Sequence, residues 1–500
     1  MTALAPPGTR RAIRGMARRG MAGMAAAGFA GAAGVGVTWL VARALGTEQA
    51  GAFFAATAGF VLAGAVVRLG TQTGLVYWLA RLRMQDRAHL LGSCLRIGLV
   101  PVAVASVVVA AVLWFTAPAP LRSLALFLPL AALSDAALAG TRGYGQLRPT
   151  FLLERLARPA LQLLTIGALA VASVSTPGPY AAAWVVPYLP AALLAGYALR
   201  RAYLSVPTPH RRPGHKTYLA LRVQFWRYTG PRSIASVAQL ALQRVDVLLV
   251  ATLGGLSAAA VYAVAGRFVV LGQLANQGIS QSVQPRLAEA LSIGDRLSAN
   301  HLYQTATGWL VLVTWPLYLM VITYTPVYLG LFGDGYRSGG PVVVVLASAM
   351  LVATGCGMVD TVLSMGGRTR WNLANVTAAL ALMVALDLAL IPPFGVVGAA
   401  VGLAAAVLLN NIVPLVQVGH ALGIHPFGPG TVAAAALAIT CFGVLPQVFA
   451  AMAGTGPAAV LTAAVLAFAA YGAGVWRMRQ RLGLGSSRSL RSLVTLGFGR

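Results

Sequence analysis

Four arginines fall within or beside long apolar runs: Arg43, Arg68, Arg244 and Arg267. A guanidinium keeps its charge away from bulk water, and its planar fork matches phosphate oxygens. Arg68 lies deep in its run, with Gln72 one turn further on the same face if the run is one helix. Ser236, Gln239, Gln243 and Asp246 recur at spacings of 3, 4 and 3, which places them on one helical face. Arg244 and Asp246 are two residues apart, so they point to different sides and are not expected to pair. Gln273, Gln277, Gln281 and Gln284 form a second stripe, flanked by Asn276 and Ser280, with Arg267 toward its edge. Amide stripes either bind ligand hydroxyls or tie helices together. This second run is too polar for lipid contact, so cavity lining is the expectation.

The acids are fewer. Asp135, Asp246, Asp360 and Asp387 lie in apolar runs, and Glu154 sits near the start of another. Each could carry a coupling proton or sodium ion, or neutralise an arginine. Asn372, Asn375, Asn410 and Asn411 are read as helix-to-helix hydrogen bonders. No paired carboxylates, nucleophile elbow, phosphate-binding glycine loop or metal-ligand cluster occurs in a plausible setting. No cofactor is expected, and an enzyme is disfavoured.

The elements that must hold these residues follow from composition. Of the residues, 58% are hydrophobic and 9% charged, against about a quarter charged in ordinary soluble domains. Mean hydropathy is +0.78. A soluble enzyme, a disordered chain and a disulfide scaffold are excluded. Fourteen segments long enough to span a bilayer can be read: 22–43, 51–79, 95–116, 122–141, 150–173, 180–199, 229–252, 257–285, 304–326, 340–364, 371–391, 395–419, 430–452 and 456–476. Helices are required, because each segment must satisfy its own backbone in lipid. The fold class is therefore an all-α polytopic membrane protein. Pro101, Pro129, Pro187, Pro316 and Pro414 are expected to kink helices. Trp78, Tyr180, Trp226 and Trp476 are read as interfacial anchors.

The net charge of +27 is a topology signal before it is a nucleic-acid signal. Basic residues collect before the first segment (Arg10, Arg11, Arg14, Arg18, Arg19) and in the even-numbered loops, which include Arg81, Arg83 and Arg87. They collect again at 200–227, with Arg211, Arg212 and Lys216, and after the last segment, with Arg477, Arg488, Arg491 and Arg500. The odd-numbered loops are short and nearly free of them. Both termini are accordingly placed in the cytoplasm, and no nucleic-acid partner is expected. The first segment is read as a retained membrane helix. Nearly all basic residues are arginine, and Ala and Gly are abundant, which points to a GC-rich bacterial genome.

The chain divides at a polar, proline-containing stretch, 200–228, read as a basic cytoplasmic linker. Residues 1–199 and 229–419 are the two halves, 430–476 a pair of extra helices, and 477–500 a basic tail. Leu45–Gly64 (LGTEQAGAFFAATAGFVLAG) and Leu253–Gly272 (LGGLSAAAVYAVAGRFVVLG) match at eight of twenty positions without a gap. Both sit at the first external loop of their half, which indicates parallel repeats about an axis along the membrane normal.

These stretches resemble the polysaccharide-exporter (Wzx-like) branch of the MATE-like MOP flippase superfamily. So do LFGDGYRSGGPVVVVLA at 331–347 and LIPPFGVVGAAVGLAAAVLLNN at 390–411. The resemblance implies two six-helix lobes around a central cavity, two additional helices and alternating access. It further implies translocation of a polyprenyl-diphosphate-linked oligosaccharide for cell-surface polysaccharide or lipopolysaccharide synthesis, alongside other assembly proteins. Such a headgroup needs a cationic cavity. The residues expected to bind it are Arg68, Gln72, Gln239, Gln243, Arg244, Arg267, Gln277 and Gln281. Asp135, Asp246, Asp360 and Asp387 are the candidates for coupling. The rivals are a lipid II flippase, a cation-coupled multidrug antiporter, and a membrane glycosyltransferase or polymerase. A net-positive cavity argues against the antiporter, and short external loops argue against the enzyme.

Overall fold

The computed structural model describes residues 7–207, 214–453 and 457–482, with only the backbone for 7–25. Pro209, Arg211, Arg212, Pro213, Arg488, Arg491 and Arg500 lie outside the described residues. The side chains of Arg10, Arg11, Arg14, Arg18 and Arg19 do so too.

All regular structure among the described residues is helical. The first group comprises α1 (Pro7–Val67), α2 (Thr71–Met84), α3 (Leu91–Thr116), α4 (Ala119–Ala125), α5 (Leu128–Gly143), α6 (Arg158–Val171), α7 (Pro177–Val185) and α8 (Tyr188–Leu204). A bent pair follows, α9 (His215–Ala241) and α10 (Val245–Leu253). The second group comprises α11 (Leu256–Ala265), α12 (Arg267–Ser292), α13 (Arg296–Thr323), α14 (Thr325–Gly330), α15 (Gly340–Gly355), α16 (Val359–Met365), α17 (Thr369–Phe394) and α18 (Val396–Leu422). The chain continues through α19 (Pro429–Ala438), α20 (Leu445–Ala453) and α21 (Pro457–Arg477).

Ten of these stretches are long and apolar enough to cross a membrane, or twelve with α4–α5 and α9–α10 each taken as one bent span. The fourteen segments map onto the twelve for two local reasons. The stretch Ala26–Met84 joins the first two across Gly46, where φ is 72° and the helix axis kinks. The fifth, helical from Thr150 to Val171, carries Glu154, Arg155 and Arg158, too many charges for an apolar span. The protein is a multi-pass membrane protein.

Two readings are changed by packing. The polar stretch expected as a linker up to 228 is helical from His215, the start of α9. Leu221 and Phe225, one turn apart, are buried in a core with Leu75 and Leu79 of α2, Ala136 of α5 and Leu199 of α8. Trp78 and Tyr180 are not interfacial anchors: they are 6% and 0% exposed and belong to the interior. Trp476 is 71% exposed, with Arg479 over its ring. Of the prolines, Pro129 and Pro187 mark breaks, α4 to α5 and α7 to α8, while Pro101, Pro316 and Pro414 lie inside α3, α13 and α18.

The two groups share one apolar core at a single end. Val41, Phe53 and Phe60 of α1 pack in it with Ala260 and Val264 of α11 and Ala399 of α18. The backbone there is close enough that a β-carbon on Gly51 would overlap the Leu256 carbonyl. Trp39 Nε1 donates to the Leu331 carbonyl at 2.8 Å, and Tyr336 Oη donates to the Ala42 carbonyl at 3.3 Å. Below this seam the groups diverge and leave a cavity.

Candidate functional site

The cavity has a volume of about 900 Å³ and runs from Phe53 and Phe54 beneath the seam to Gln284 and Asp360. Its walls differ in chemistry. From α12, Gln273, Gln277, Gln281 and Gln284 all line it, with Asn276 and Ser280, because their spacing keeps them on one helical face. Gln239 and Gln243 add to this wall from α9 and the turn after it. The opposite wall presents Phe53, Phe54, Trp184, Gln162, Glu154 and Arg158.

The arginines sit where helices break. Arg244 caps α10 after the Leu242–Arg244 turn, at a 48° bend, and Arg267 opens α12. Arg158 differs: it lies within continuous helix, where the π-helical turn Thr150–Ala157 passes into α6. Helix N-termini and unwound backbone at membrane depth are tolerated where they line a cavity, and there they suit anions. The Nε atoms of Arg244 and Arg267 are buried and make no hydrogen bond. The Arg267 guanidinium rests against α1 at Gly34, where a β-carbon would lie 2.8 Å from Nη2.

Asp246 is 3% exposed, accepts a hydrogen bond from Tyr262 Oη at 2.7 Å and another from the Val247 N–H at 2.7 Å. Among the described residues it makes no ion pair with Arg244. Asp387 is fully buried behind the cavity wall, and neither carboxylate oxygen has a hydrogen-bond partner. Asp360 lines the cavity in the first turn of α16, with Oδ1 unpartnered.

Sequence comparison finds the MatE family model matching residues 231–386. None of the curated proteins matches the chain. Among solved structures, the lipid II flippase MurJ in an inward closed conformation superposes with a TM-score of 0.68 at 12% identity. That match covers 91% of this chain and 98% of MurJ. An inward-facing multidrug resistance MATE family transporter gives 0.63 at 12% identity, covering 78% and 94%. A MOP superfamily transporter from Pyrococcus furiosus, described as having a binding pocket of reversed polarity, gives 0.53 at 15% identity, covering 83% and 96%. The fold is that of the MOP-superfamily transporters.

Within this MOP fold the sequence candidates separate. Arg244, Arg267, Gln239, Gln243, Gln277 and Gln281 line the cavity, as do Asp246 and Asp360. Arg68 and Gln72 do not. The helix breaks between them at Leu69 and Gly70, both with positive φ, so the assumed common face does not exist. Arg68 instead pairs with Asp135, and Gln72 lines a separate surface groove with Tyr77, Arg81 and Tyr228. Ser236 is exposed outside the cavity, although it shares α9 with Gln239, which lines it. Arg43 is exposed beside the Gly46 kink. Asn375 exchanges hydrogen bonds with Gln417 at 2.8 and 3.2 Å, which ties α17 to α18, whereas Asn410 and Asn411 line the cavity.

Among the described residues the lining holds three arginines (Arg158, Arg244, Arg267) and three carboxylates (Glu154, Asp246, Asp360), so these residues do not give the net positive charge expected. Arg158, Trp184 and Gln162 were not singled out by sequence. Arg158 sits four residues after Glu154 and directly before Pro159, and that clustering near the start of an apolar run was the available signal.

Proposed function

We propose that this protein is a flippase for a polyprenyl-diphosphate-linked oligosaccharide, moving the headgroup through the cavity while the lipid tail stays in the bilayer. The observation that carries this reading is the wall formed by α9, α10 and α12. Six glutamines line one side of a cavity that also holds two arginines whose Nε donors are unpartnered. Amides match glycan hydroxyls, and the unpartnered guanidinium donors match an anionic diphosphate. A volume of about 900 Å³ is within the range that encloses a sizeable polar ligand.

The MOP fold supports alternating access, with the α1–α11 seam as the closed side of this state. The basic loops place both termini in the cytoplasm of a bacterial inner membrane, so the cavity is taken to load from the cytoplasmic leaflet. Asp387, with both carboxylate oxygens unpartnered, is assigned to coupling. A carboxylate with no partner at membrane depth is costly, and a proton or sodium ion would remove that cost.

A second reading, a cation-coupled multidrug antiporter, draws on the equal count of arginines and carboxylates and on the unpartnered Asp360 oxygen. Mass spectrometry of polyprenyl lipids in cells lacking the gene separates the two. The flippase predicts an oligosaccharide-diphosphate lipid accumulating on the inner leaflet. An unchanged lipid profile with heightened sensitivity to cationic drugs would favour the antiporter.

A further inference from the structure

Behind the amide-poor wall lies a charge cluster. Arg68 takes Asp135 at 2.8 Å, and Arg142 approaches Glu154 at 3.9 Å. Arg155 and Arg158 act on the same Glu154. Four guanidiniums and two carboxylates meet in this cluster. Of the four, only Arg158 lines the cavity. It is also held in place: its guanidinium carbon lies 4.8 Å from the Tyr188 ring centroid. A guanidinium has five N–H donors, so these contacts leave donors available to a ligand.

Tyr188 also packs into an aromatic trio. Phe60 meets Trp184 edge-on at 5.6 Å, Phe60 lies 5.8 Å from Tyr188, and Trp184 lies 6.0 Å from Tyr188. The Trp184 backbone is fixed as well, since its carbonyl accepts from Gln162 Nε2 at 2.7 Å. Trp184 is half-buried and is the member of the trio that reaches the cavity lining. An indole is a large apolar surface held at low entropic cost, and the apolar C–H face of a pyranose ring is its natural partner. One preorganised aromatic residue and one cation thus share a wall with Glu154, and Tyr188 joins the two.

We infer that Arg158 and Trp184 form a sugar-phosphate subsite, in which Arg158 holds a phosphate oxygen and Trp184 stacks on the sugar attached to that phosphate. The glutamine wall then reads the hydroxyl edge of the same headgroup from the other side. This inference rests on the flippase reading above and assigns the position and orientation of its headgroup. It makes the phosphate-proximal sugar the unit that this transporter recognises by shape.

The test uses the full chain in lipid nanodiscs and two probes, farnesyl diphosphate and farnesyl-diphosphate-linked N-acetylglucosamine, with dissociation constants by native mass spectrometry. Wild type is expected to bind both, and the sugar-bearing probe more tightly. Trp184→Ala should remove that preference while leaving affinity for farnesyl diphosphate unchanged, which also reports a folded protein. Trp184→Phe should keep most of the preference. Arg158→Ala should weaken both probes roughly tenfold to a hundredfold. Should that variant fail to fold, Arg158→Lys, which keeps the charge but loses the fork, should weaken both several-fold. A wild-type ratio in Trp184→Ala, or wild-type affinity in the Arg158 variant that folds, overturns the subsite. Wild type binding neither probe would instead remove the flippase reading itself.

Discussion

Arg68 Nη1 lies 2.8 Å from Asp135 Oδ2, with the two side chains 23% and 12% exposed. The pair ties the α1–α2 break to α5. It pairs an arginine expected to bind substrate with an acid expected to carry a coupling ion. Breaking a largely buried pair leaves one charge uncompensated, which costs more than the pair contributes.

Arg68→Ala and Asp135→Asn should each lower thermal stability in detergent, by about 1–3 kcal/mol. The double variant Arg68→Leu/Asp135→Leu should recover most of the loss. Unfolding temperatures that do not move in the single variants would show that the pair is dispensable and return Arg68 to the list of substrate residues.

Gly34 sets the room available to Arg267. In Gly34→Ala the new methyl would stand 2.8 Å from Nη2, the far end of a flexible side chain, so folding should survive while the guanidinium moves. Binding of farnesyl diphosphate should weaken several-fold in Gly34→Ala and roughly tenfold to a hundredfold in Arg267→Ala. Equal affinities in wild type and Arg267→Ala would remove Arg267 from the anion site.

Asp387 has no hydrogen-bond partner on either oxygen although it is fully buried. Asp387→Asn keeps its shape and removes the ionisable group, so thermal stability should hold or rise. Reconstituted transport should lose its dependence on an imposed sodium or proton gradient. A variant that melts earlier and keeps its gradient dependence would make Asp387 a structural residue.

The seam can be locked. A β-carbon on Gly335 would lie 3.0 Å from Thr47 Cγ2, and the native cysteines Cys94, Cys356 and Cys441 are all buried. A disulfide in Thr47→Cys/Gly335→Cys should stop transport, and dithiothreitol should restore it. Oxidised protein that still transports would show that opening this seam is not part of the cycle.

Apolar composition and unbroken hydrophobic length determined the membrane-spanning helical class, since lipid leaves the backbone no alternative to internal hydrogen bonds. The α12 stripe was equally legible, because a 3.6-residue period is a local property and Gln273, Gln277, Gln281 and Gln284 share a face wherever the helix packs. Local reasoning failed where helices break. Leu69–Gly70 and Leu242–Arg244 interrupt apolar runs that read as continuous, and the first break turns Gln72 away from Arg68.

Partnership was beyond the sequence for a different reason. Arg68 and Asp135 are 67 positions apart, and Arg158, Trp184 and Arg267 come from separate helices that meet only at the cavity. Residue type fixes what each side chain can do, whereas charge balance and ligand access depend on which helices become neighbours. The sequence therefore determined that arginines and amides would sit at membrane depth. Tertiary packing alone decided that Arg68 is neutralised by Asp135 while Arg158, Arg244 and Arg267 face the cavity.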